Sequence, residues 1–239
     1  MTTVGTNRQQ SGQFLIFDGD DTLWENNVFF EESIDDFIAY LDHSTLTSSE
    51  VRAVLDEIER ANTKIHGYGA LAFGRSLHEC YEHLHQRHLD EAELTTVMGF
   101  AERILRQPID LIPGVEETLA DLGLRHQLAL LTKGNAEEQR LKIDRCGLER
   151  YFTRTFIVPE KNASVYHEVV ADLQISFETT WMIGNSPRSD INPALTAGLN
   201  AVFIPHDRTW ILEHEELAIP PMQERFLRLQ RFTELRAHF

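Results

Sequence analysis

The chain has few cysteines and no long apolar run, and both absences exclude whole classes of protein. Only two cysteines occur in 239 residues, Cys80 and Cys146, which leaves no disulfide framework and no CxxC motif. No apolar run approaches the ~20 residues that span a membrane. The first residues are polar and lack the apolar segment of a secretory signal. We therefore expect a protein of the reducing cytoplasm that does not enter membranes.

Positive charge is also scarce. The 22 lysines and arginines stand against 38 aspartates and glutamates, which gives a formal net charge of -16. A surface with this charge repels nucleic acid and anionic membranes. A small charged ligand remains compatible with it, because salt screens charges more than ~10 Å away. The composition favours a small-molecule partner and leaves the oligomeric state open.

The most informative stretch is residues 14–24, which read FLIFDGDDTLW. Four apolar residues suit a buried strand, and Asp18 and Asp20 then point to the same side because side chains alternate along a strand. Ligands of open α/β sheets bind beyond the carboxyl ends of the strands. Two adjacent carboxylates repel each other there, and a bound cation relieves the repulsion. A solvated acidic turn is the alternative, and the downstream motifs argue against it.

The remaining pattern divides the chain into two regions. Apolar residues at helical spacing form four stripes between residues 26 and 108, which predicts a small helical bundle. From residue 113 strands and helices alternate, with strands expected at 127–131, 155–158, 180–183 and 201–204 and a terminal helix at 221–237. The prediction is an α/β fold: a doubly wound, Rossmann-like parallel sheet from residues 1–25 and 109–239, with a helical bundle inserted at 26–108.

Four segments resemble the motifs of the haloacid dehalogenase (HAD) superfamily of phosphohydrolases. The segment Asp18-Gly-Asp-Asp-Thr-Leu is similar to motif I, and the strand ending at Thr132 to motif II. Lys161 stands at the position of motif III, and the segment from Gly184 to Asp190 is similar to motif IV. The helical insertion after the first strand matches family members with a type 1 cap. The resemblance covers nearly the whole chain.

The resemblance implies a role for each motif. Asp18 becomes the nucleophile and Asp20 the general acid and base, while Thr132, Lys133 and Lys161 become phosphate ligands. Without the resemblance, the better interpretation of Thr132 is a cap of the helix that follows it, and that of Lys161 is a solvated surface charge.

The resemblance also implies Mg²⁺ as the cofactor, with Asp18, Asp20, Asn185 and Asp190 as candidate ligands. Asn185 departs from the family pattern, which has an acid there; its carbonyl oxygen can still bind magnesium, but one negative charge is lost. Asp190 has two further roles open to it. It could orient Lys161, or it could cap a helix that starts at residue 191.

These expectations together predict a magnesium-dependent phosphatase that acts on a small phosphorylated metabolite. A 2-haloacid dehalogenase or a phosphomutase on the same fold stays open, as does a non-catalytic binding protein. The glycine-rich segment 64–75 interrupts the helical pattern and carries His66, Tyr68 and Arg75. In HAD enzymes with this cap type such a loop reaches over the phosphate, so these residues are candidates for substrate selectivity; an ordinary surface turn is the alternative.

Overall fold

The computed structural model describes residues 12–218 and 223–239, which fall into two compact units. One unit takes the chain up to Glu25 and from Ile109 to the end, and the other comprises Asn26–Pro108. Within the described residues, no helix is both long enough and apolar enough to cross a membrane.

The larger unit is built on a parallel sheet. In the described part of the chain its strands are β1 Phe14–Phe17, β2 Gln127–Lys133, β3 Arg154–Val158, β4 Thr180–Gly184, β5 Asn200–Phe203 and β6 Phe226–Arg228. Their order across the sheet is β3-β2-β1-β4-β5-β6, and every neighbouring pair is parallel. The helices of this unit are α5 Val115–Leu122, α6 Ala136–Cys146, α7 Ala163–Leu173, α8 Asn192–Ala197 and α9 Leu235–His238.

The central strand β1 shows why the apolar run at its start is unbroken. Leu15 and Phe17 pack in one apolar cluster, and Phe14 and Ile16 pack in a second cluster. A parallel sheet is covered on both faces, so both sets of alternating side chains must be apolar. The α/β fold class expected from the sequence is confirmed.

The expected terminal helix over 221–237 is wrong. Of that range, residues 221 and 222 lie outside the described residues. The chain instead forms β6, which pairs in parallel with β5, and only Leu235–His238 is α-helical. Pairing satisfies the backbone groups that β5 would otherwise leave at the sheet edge. Phe232 and Leu235 are then buried in the core beside β1, which favours this packing over one long helix.

The smaller unit is helical. Its helices are α1 Asn27–Leu41, α2 Ser48–His66, α3 Ala70–His85 and α4 Glu91–Ile104. The expected helix start at Thr47 is confirmed: its side chain accepts from the Glu50 N–H, and the Glu50 carboxylate accepts from the Thr47 N–H. Asp90 and Glu93 form the same reciprocal cap on α4. Apolar side chains of all four helices form one shared core.

Candidate active site

The candidate site lies at the carboxyl end of β1, where the chain turns sharply. The Asp18 N–H donates to the Ile183 carbonyl at 2.9 Å, so the sheet continues one residue past the strand. Gly19 follows, and a Cβ atom there would lie 2.6 Å from the Trp24 ring and 3.2 Å from the Thr132 hydroxyl. Only glycine therefore fits between the two acids, because the indole ring closes over the turn.

Lys161 bridges two buried carboxylates. Its ammonium group lies 2.5 Å from Asp18 Oδ1 and 2.7 Å from Asp190 Oδ1. Burial raises the pKa of Asp18 to about 7, and the nearby Asp190 charge adds to the rise while Lys161 opposes it. Burial opposes the charge on Lys161 as well, but Asp18 and Asp190 together outweigh it and raise the lysine pKa. The structure thus brings motifs I, III and IV together around one cation.

Asp190 also forms a hydrogen bond within the loop in which it lies. Its second oxygen accepts from the Ser186 N–H at 3.0 Å. The alternative role of Asp190 as a helix cap is excluded, since Asp190 lies inside the π-helical turn Pro187–Ile191 and α8, which follows it, has no side-chain cap. The side chain that caps the π-helical turn is Ser186, which accepts from the Ser189 N–H at 2.9 Å. A Cβ on Gly184 would lie 2.2 Å from Asp190 Oδ2, so glycine at 184 lets this carboxylate approach the sheet.

Asn185 and Asp18 share a hydroxyl neighbour. Thr22 Oγ1 lies 3.1 Å from Asp18 Oδ2 and 3.2 Å from Asn185 Oδ1. The Asn185 amide donates to the Thr209 hydroxyl at 3.1 Å, which directs its carbonyl oxygen toward Thr22 and Asp18. A carboxylate oxygen and an amide oxygen therefore converge on one point. This donor set fits a hard cation such as Mg²⁺, which prefers oxygen ligands.

Asp20 is held by three side chains that the sequence analysis did not assign. Trp24 Nε1 donates to Oδ1 at 2.7 Å, and Gln139 Nε2 donates to Oδ2 at 2.7 Å. Lys142 Nζ lies 2.8 Å and 2.9 Å from the two oxygens. Burial opposes ionisation of Asp20, but the Lys142 charge and the hydrogen bonds outweigh it and lower the pKa.

Thr132 is completely buried, and its hydroxyl has no hydrogen-bond partner among the described residues. It does not cap the following helix, because the Asn135 side chain accepts from the first N–H groups of α6. The Gly134 N–H donates to the Val158 carbonyl at 3.0 Å. The Thr132 hydroxyl thus remains without a partner among the described residues, and it lies beside Gly19, between the two acids of motif I.

Lys133, which the sequence predicts as a phosphate ligand, contacts protein side chains in the structure. Its ammonium group lies 2.5 Å from Glu213 and 2.8 Å from the Ser189 hydroxyl. Glu213 also accepts from Ser186 at 2.6 Å and from Ser189 at 2.5 Å. Burial opposes ionisation of Glu213, but Lys133 and the two serines outweigh it and lower the pKa. This network ties the loop of motif IV to β2, while a contact of Lys133 with phosphate stays a prediction.

The candidate selectivity residues lie in the helical unit. The break expected in segment 64–75 falls between His66, the last residue of α2, and Ala70, the first of α3. Tyr68 stands in this break, and Arg75 Nη1 lies 3.0 Å from His66 Nδ1 at the surface of the unit.

A second group of potential metal ligands lies in the larger unit and was not predicted. His206 Nε2 is 3.1 Å from Glu25, and His206 Nδ1 is 4.0 Å from Asp21. It differs from the predicted set of Asp18, Asp20, Asn185 and Asp190. His206 Nδ1 accepts from the Arg208 N–H at 3.3 Å, so the hydrogen bond of the ring to a carboxylate is the one between Nε2 and Glu25.

The sequence carries a signal for some of the site residues that were not predicted, namely Gln139, Lys142 and Thr22. Gln139 and Lys142 are three positions apart on α6, and such spacing places both on one helix face. Thr22 belongs to the motif I segment itself. Glu213 gave no signal, because it stands in an irregular segment more than 20 residues from the serines it contacts.

A family model and a human protein are both similar to this chain. The family model described as haloacid dehalogenase-like hydrolase matches residues 14–198. The human N-acylneuraminate-9-phosphatase is 25% identical over 206 residues, which cover 78% of this chain and 79% of the human protein.

Solved structures agree on the fold. A haloacid dehalogenase-like family hydrolase from Xanthomonas campestris superimposes with a TM-score of 0.81 at 26% identity, covering 96% of this chain and 95% of the other. The 2-haloacid dehalogenase from Pseudomonas syringae superimposes with a TM-score of 0.58 at 21% identity, covering 94% and 96%. The latter likeness concerns the fold alone.

Proposed function

Because the chain belongs to the haloacid dehalogenase-like hydrolases, we propose that it is a magnesium-dependent phosphatase of small phosphate monoesters. The buried, unpartnered hydroxyl of Thr132 is the single observation that carries the proposal. A buried hydroxyl without a partner costs free energy, and a phosphate oxygen bound beside Asp18 would supply that partner. The human relative named as a phosphatase supports the same choice.

Each buried side chain has a part in the proposed reaction. An Asp18 carboxylate oxygen attacks phosphorus, the bond to the leaving oxygen breaks, and an aspartyl-phosphate forms. Asp20, once protonated from solvent, gives this proton to the leaving alkoxide; its carboxylate then takes a proton from the water that attacks phosphorus and breaks the bond to Asp18. Thr132 and Lys161 contact the phosphoryl oxygens, over which negative charge spreads in the transition state.

Magnesium would be held by the Asp18 carboxylate, the Asn185 amide oxygen and the Asp20 backbone carbonyl. When bound, it offsets the charge of an anionic nucleophile that meets an anionic phosphate. Asp190 has both oxygens engaged by Lys161 and the Ser186 N–H, which supports a role in orienting Lys161 over direct ligation.

A 2-haloacid dehalogenase is the second candidate. Such an enzyme uses the same aspartate nucleophile but lacks the second acid and needs no metal. The four hydrogen-bond contacts that hold Asp20 favour a protein that uses this acid.

A substrate panel with and without magnesium tests the proposal. It contains phosphorylated sugars, sugar acids and nucleotides, including N-acylneuraminate 9-phosphate from the name of the human relative, and 2-chloropropionate as the dehalogenase substrate. We expect magnesium-dependent release of inorganic phosphate from at least one ester, and no chloride release. Phosphate transferred to a second position of the substrate, with none released, would indicate a mutase, and chloride release without metal would indicate a dehalogenase.

A further inference from the structure

Helix α6 presents two polar side chains to Asp20. Gln139 and Lys142 belong to the helix that follows β2, and both contact the Asp20 carboxylate although they are 119 and 122 residues away in sequence. Gln139 also donates to the Lys133 carbonyl at 2.9 Å, which fixes the amide against the end of β2. The face of α6 that carries residues 139 and 142 thus contacts the motif I turn through Asp20.

The contacts leave Asp20 one orientation. Oδ1 accepts from Trp24 and Lys142, and Oδ2 accepts from Gln139 and Lys142. Rotation of the carboxylate would break at least one charge-assisted hydrogen bond, and such bonds are about twice as strong as neutral ones. Lys142 is the only one of the three neighbours of Asp20 that contacts both oxygens, so it determines the angle of the carboxylate plane.

The contact between Lys142 and Asp20 differs from an ordinary surface ion pair. Arg140, on the same helix, pairs with Asp144 across one turn, and the two side chains are 39% and 57% exposed. The Lys142 and Asp20 side chains are only 19% and 22% exposed, and their contact joins two distant parts of the sequence. Exposed ion pairs contribute little to stability, whereas salt screens a partly buried pair much less.

We propose that Lys142 is a positioning residue that holds the Asp20 carboxylate in the orientation from which it exchanges protons with the leaving group and with water. The proposal rests on the phosphatase function proposed above. Lys142 itself touches neither the substrate nor the phosphoryl group in this role. Without it, one neutral hydrogen bond remains to each oxygen, from Trp24 and from Gln139, and these restrain rotation about the Cβ–Cγ bond less than the charged contact does.

Misplacement of Asp20 has a consequence that depends on the substrate. An alkyl leaving group is strongly basic and needs a proton as its bond to phosphorus breaks, whereas p-nitrophenolate leaves with little help. Loss of Lys142 should therefore slow hydrolysis of an alkyl phosphate much more than hydrolysis of p-nitrophenyl phosphate. General damage to the fold would slow both substrates equally.

The kinetic experiment compares Lys142→Met, Lys142→Arg and the matched control Arg140→Met on both substrates. We expect Lys142→Met to lower kcat for the alkyl phosphate about 100-fold and for p-nitrophenyl phosphate about 10-fold or less. Arginine should restore most of the loss, because it can contact both oxygens, and Arg140→Met should stay near wild type on both. Equal losses on the two substrates, or an arginine variant no better than methionine, would overturn the proposal. Lys142→Gln provides the same comparison if the methionine variant folds poorly.

A spectroscopic readout separates this proposal from the phosphatase assignment. Trp24 is one of three tryptophans, and its indole N–H reports directly on Asp20. Its ¹H–¹⁵N resonance, assigned with Trp24→Phe, should shift in Lys142→Met while those of Trp181 and Trp210 stay in place. An unshifted Trp24 resonance would refute the positioning role whatever the enzyme hydrolyses. Wild type inactive on every ester, with the shift present, would refute the phosphatase function and leave the orientation of Asp20 by Lys142 supported.

Discussion

The Lys161 ammonium group lies 2.5 Å from Asp18 Oδ1, and both side chains are buried at the end of the central strand. Because Asp190 contacts the same ammonium group, two carboxylates share one cation and the cluster keeps a net negative charge. Burial of that excess charge is what raises the pKa of Asp18 to about 7. A second cation at this point would remove the imbalance, which is the electrostatic reason to expect magnesium beside Asp18.

Asp18→Asn should abolish turnover while the fold stays intact. The amide keeps the volume of the side chain but is not a nucleophile, so we expect a loss of at least about 1,000-fold in kcat. Stability should not fall, because the change removes one of two carboxylates that compete for Lys161 and leaves a neutral pair with Asp190. Steady-state kinetics and thermal unfolding measure the two effects, with Asp207→Asn, an exposed acid, as control. Activity near that of wild type would remove Asp18 from the mechanism.

The sequence predicted the fold well because its strongest signals are local. The apolar run before Asp18 and the alternation of strands and helices after residue 113 are patterns of neighbouring residues, and the sheet confirms them. The terminal segment was misread because β6 exists only through its pairing with β5, which is a tertiary effect. Three residues of strand at a sheet edge carry no periodicity that distinguishes them from a helix.

The sequence predicted the site residues that follow the strands in recognisable motifs. It did not predict the side chains that reach the site from a helix or from a segment without a motif. Asp18, Lys161 and Asp190 converge as expected because parallel strands place their carboxyl ends at one edge of the sheet. Lys142 was missed because helix spacing pairs it with Gln139 but does not show which carboxylate that face contacts. Glu213 was missed because no rule of spacing links it to the serines it contacts. The contact between Lys133 and Glu213 depends on the path of the chain after β5, so the sequence of β2 alone does not predict it.

Asn185→Asp should strengthen magnesium binding. The side-chain oxygen already converges with Asp18 near the Thr22 hydroxyl, and an added negative charge there increases attraction to a cation. The Thr209 hydroxyl, which accepts from the Asn185 amide and donates to the His206 carbonyl, can donate to a carboxylate at residue 185 only by giving up the bond to His206. We expect the magnesium concentration for half-maximal activity to fall about 3- to 10-fold. Titration calorimetry with magnesium alone gives the affinity without turnover, and an unchanged affinity would place Asn185 outside the metal site.

Arg75→Ala and Tyr68→Ala should reorder preference among phosphate esters if segment 64–75 selects the substrate. Arg75 contacts His66 at the surface of the helical unit, so its loss should leave the helical core intact. Metal dependence should survive, since the candidate magnesium ligands belong to the larger unit. Relative kcat/KM over the ester panel is the measurement, with Arg60→Ala, an exposed arginine of α2, as control. Identical relative rates in all variants would exclude the segment from recognition.

Glu59 should make stability depend on pH. Burial, assisted by the charge of Asp56, raises its pKa to about 8, and one of its carboxyl oxygens has no hydrogen-bond partner among the described residues. A raised folded-state pKa means that its stabilising contribution is complete below the unfolded value of 4.5 and is lost as pH rises through about 8. Between pH 5.5 and 8.5 wild type should lose on the order of 3 kcal/mol from this group.

Glu59→Gln should flatten that dependence, because the amide stays neutral at every pH in the range. Urea unfolding at pH 5.5 and 8.5 measures it. Glu57→Gln is the matched control on the same helix, since the Glu57 side chain is 75% exposed. A slope in Glu59→Gln as steep as in wild type would assign the pH dependence to another group.

Thr132→Val should weaken phosphate binding without a loss of stability. The hydroxyl is buried and makes no hydrogen bond within the described residues, so its removal breaks no protein contact and relieves an unsatisfied polar group. If the hydroxyl instead serves the phosphate, the variant loses a hydrogen bond to a charged group, about 1.5–3 kcal/mol, or roughly 10- to 100-fold in affinity. Inhibition by inorganic phosphate measures this loss of affinity directly.

Thr118→Val on α5 is the matched control, because Thr118 is equally buried and its hydroxyl is also unpartnered in the described part of the chain. Both variants should unfold at or above the wild-type temperature, and only Thr132→Val should lose phosphate affinity; equal inhibition constants in the two would remove Thr132 from the phosphate site.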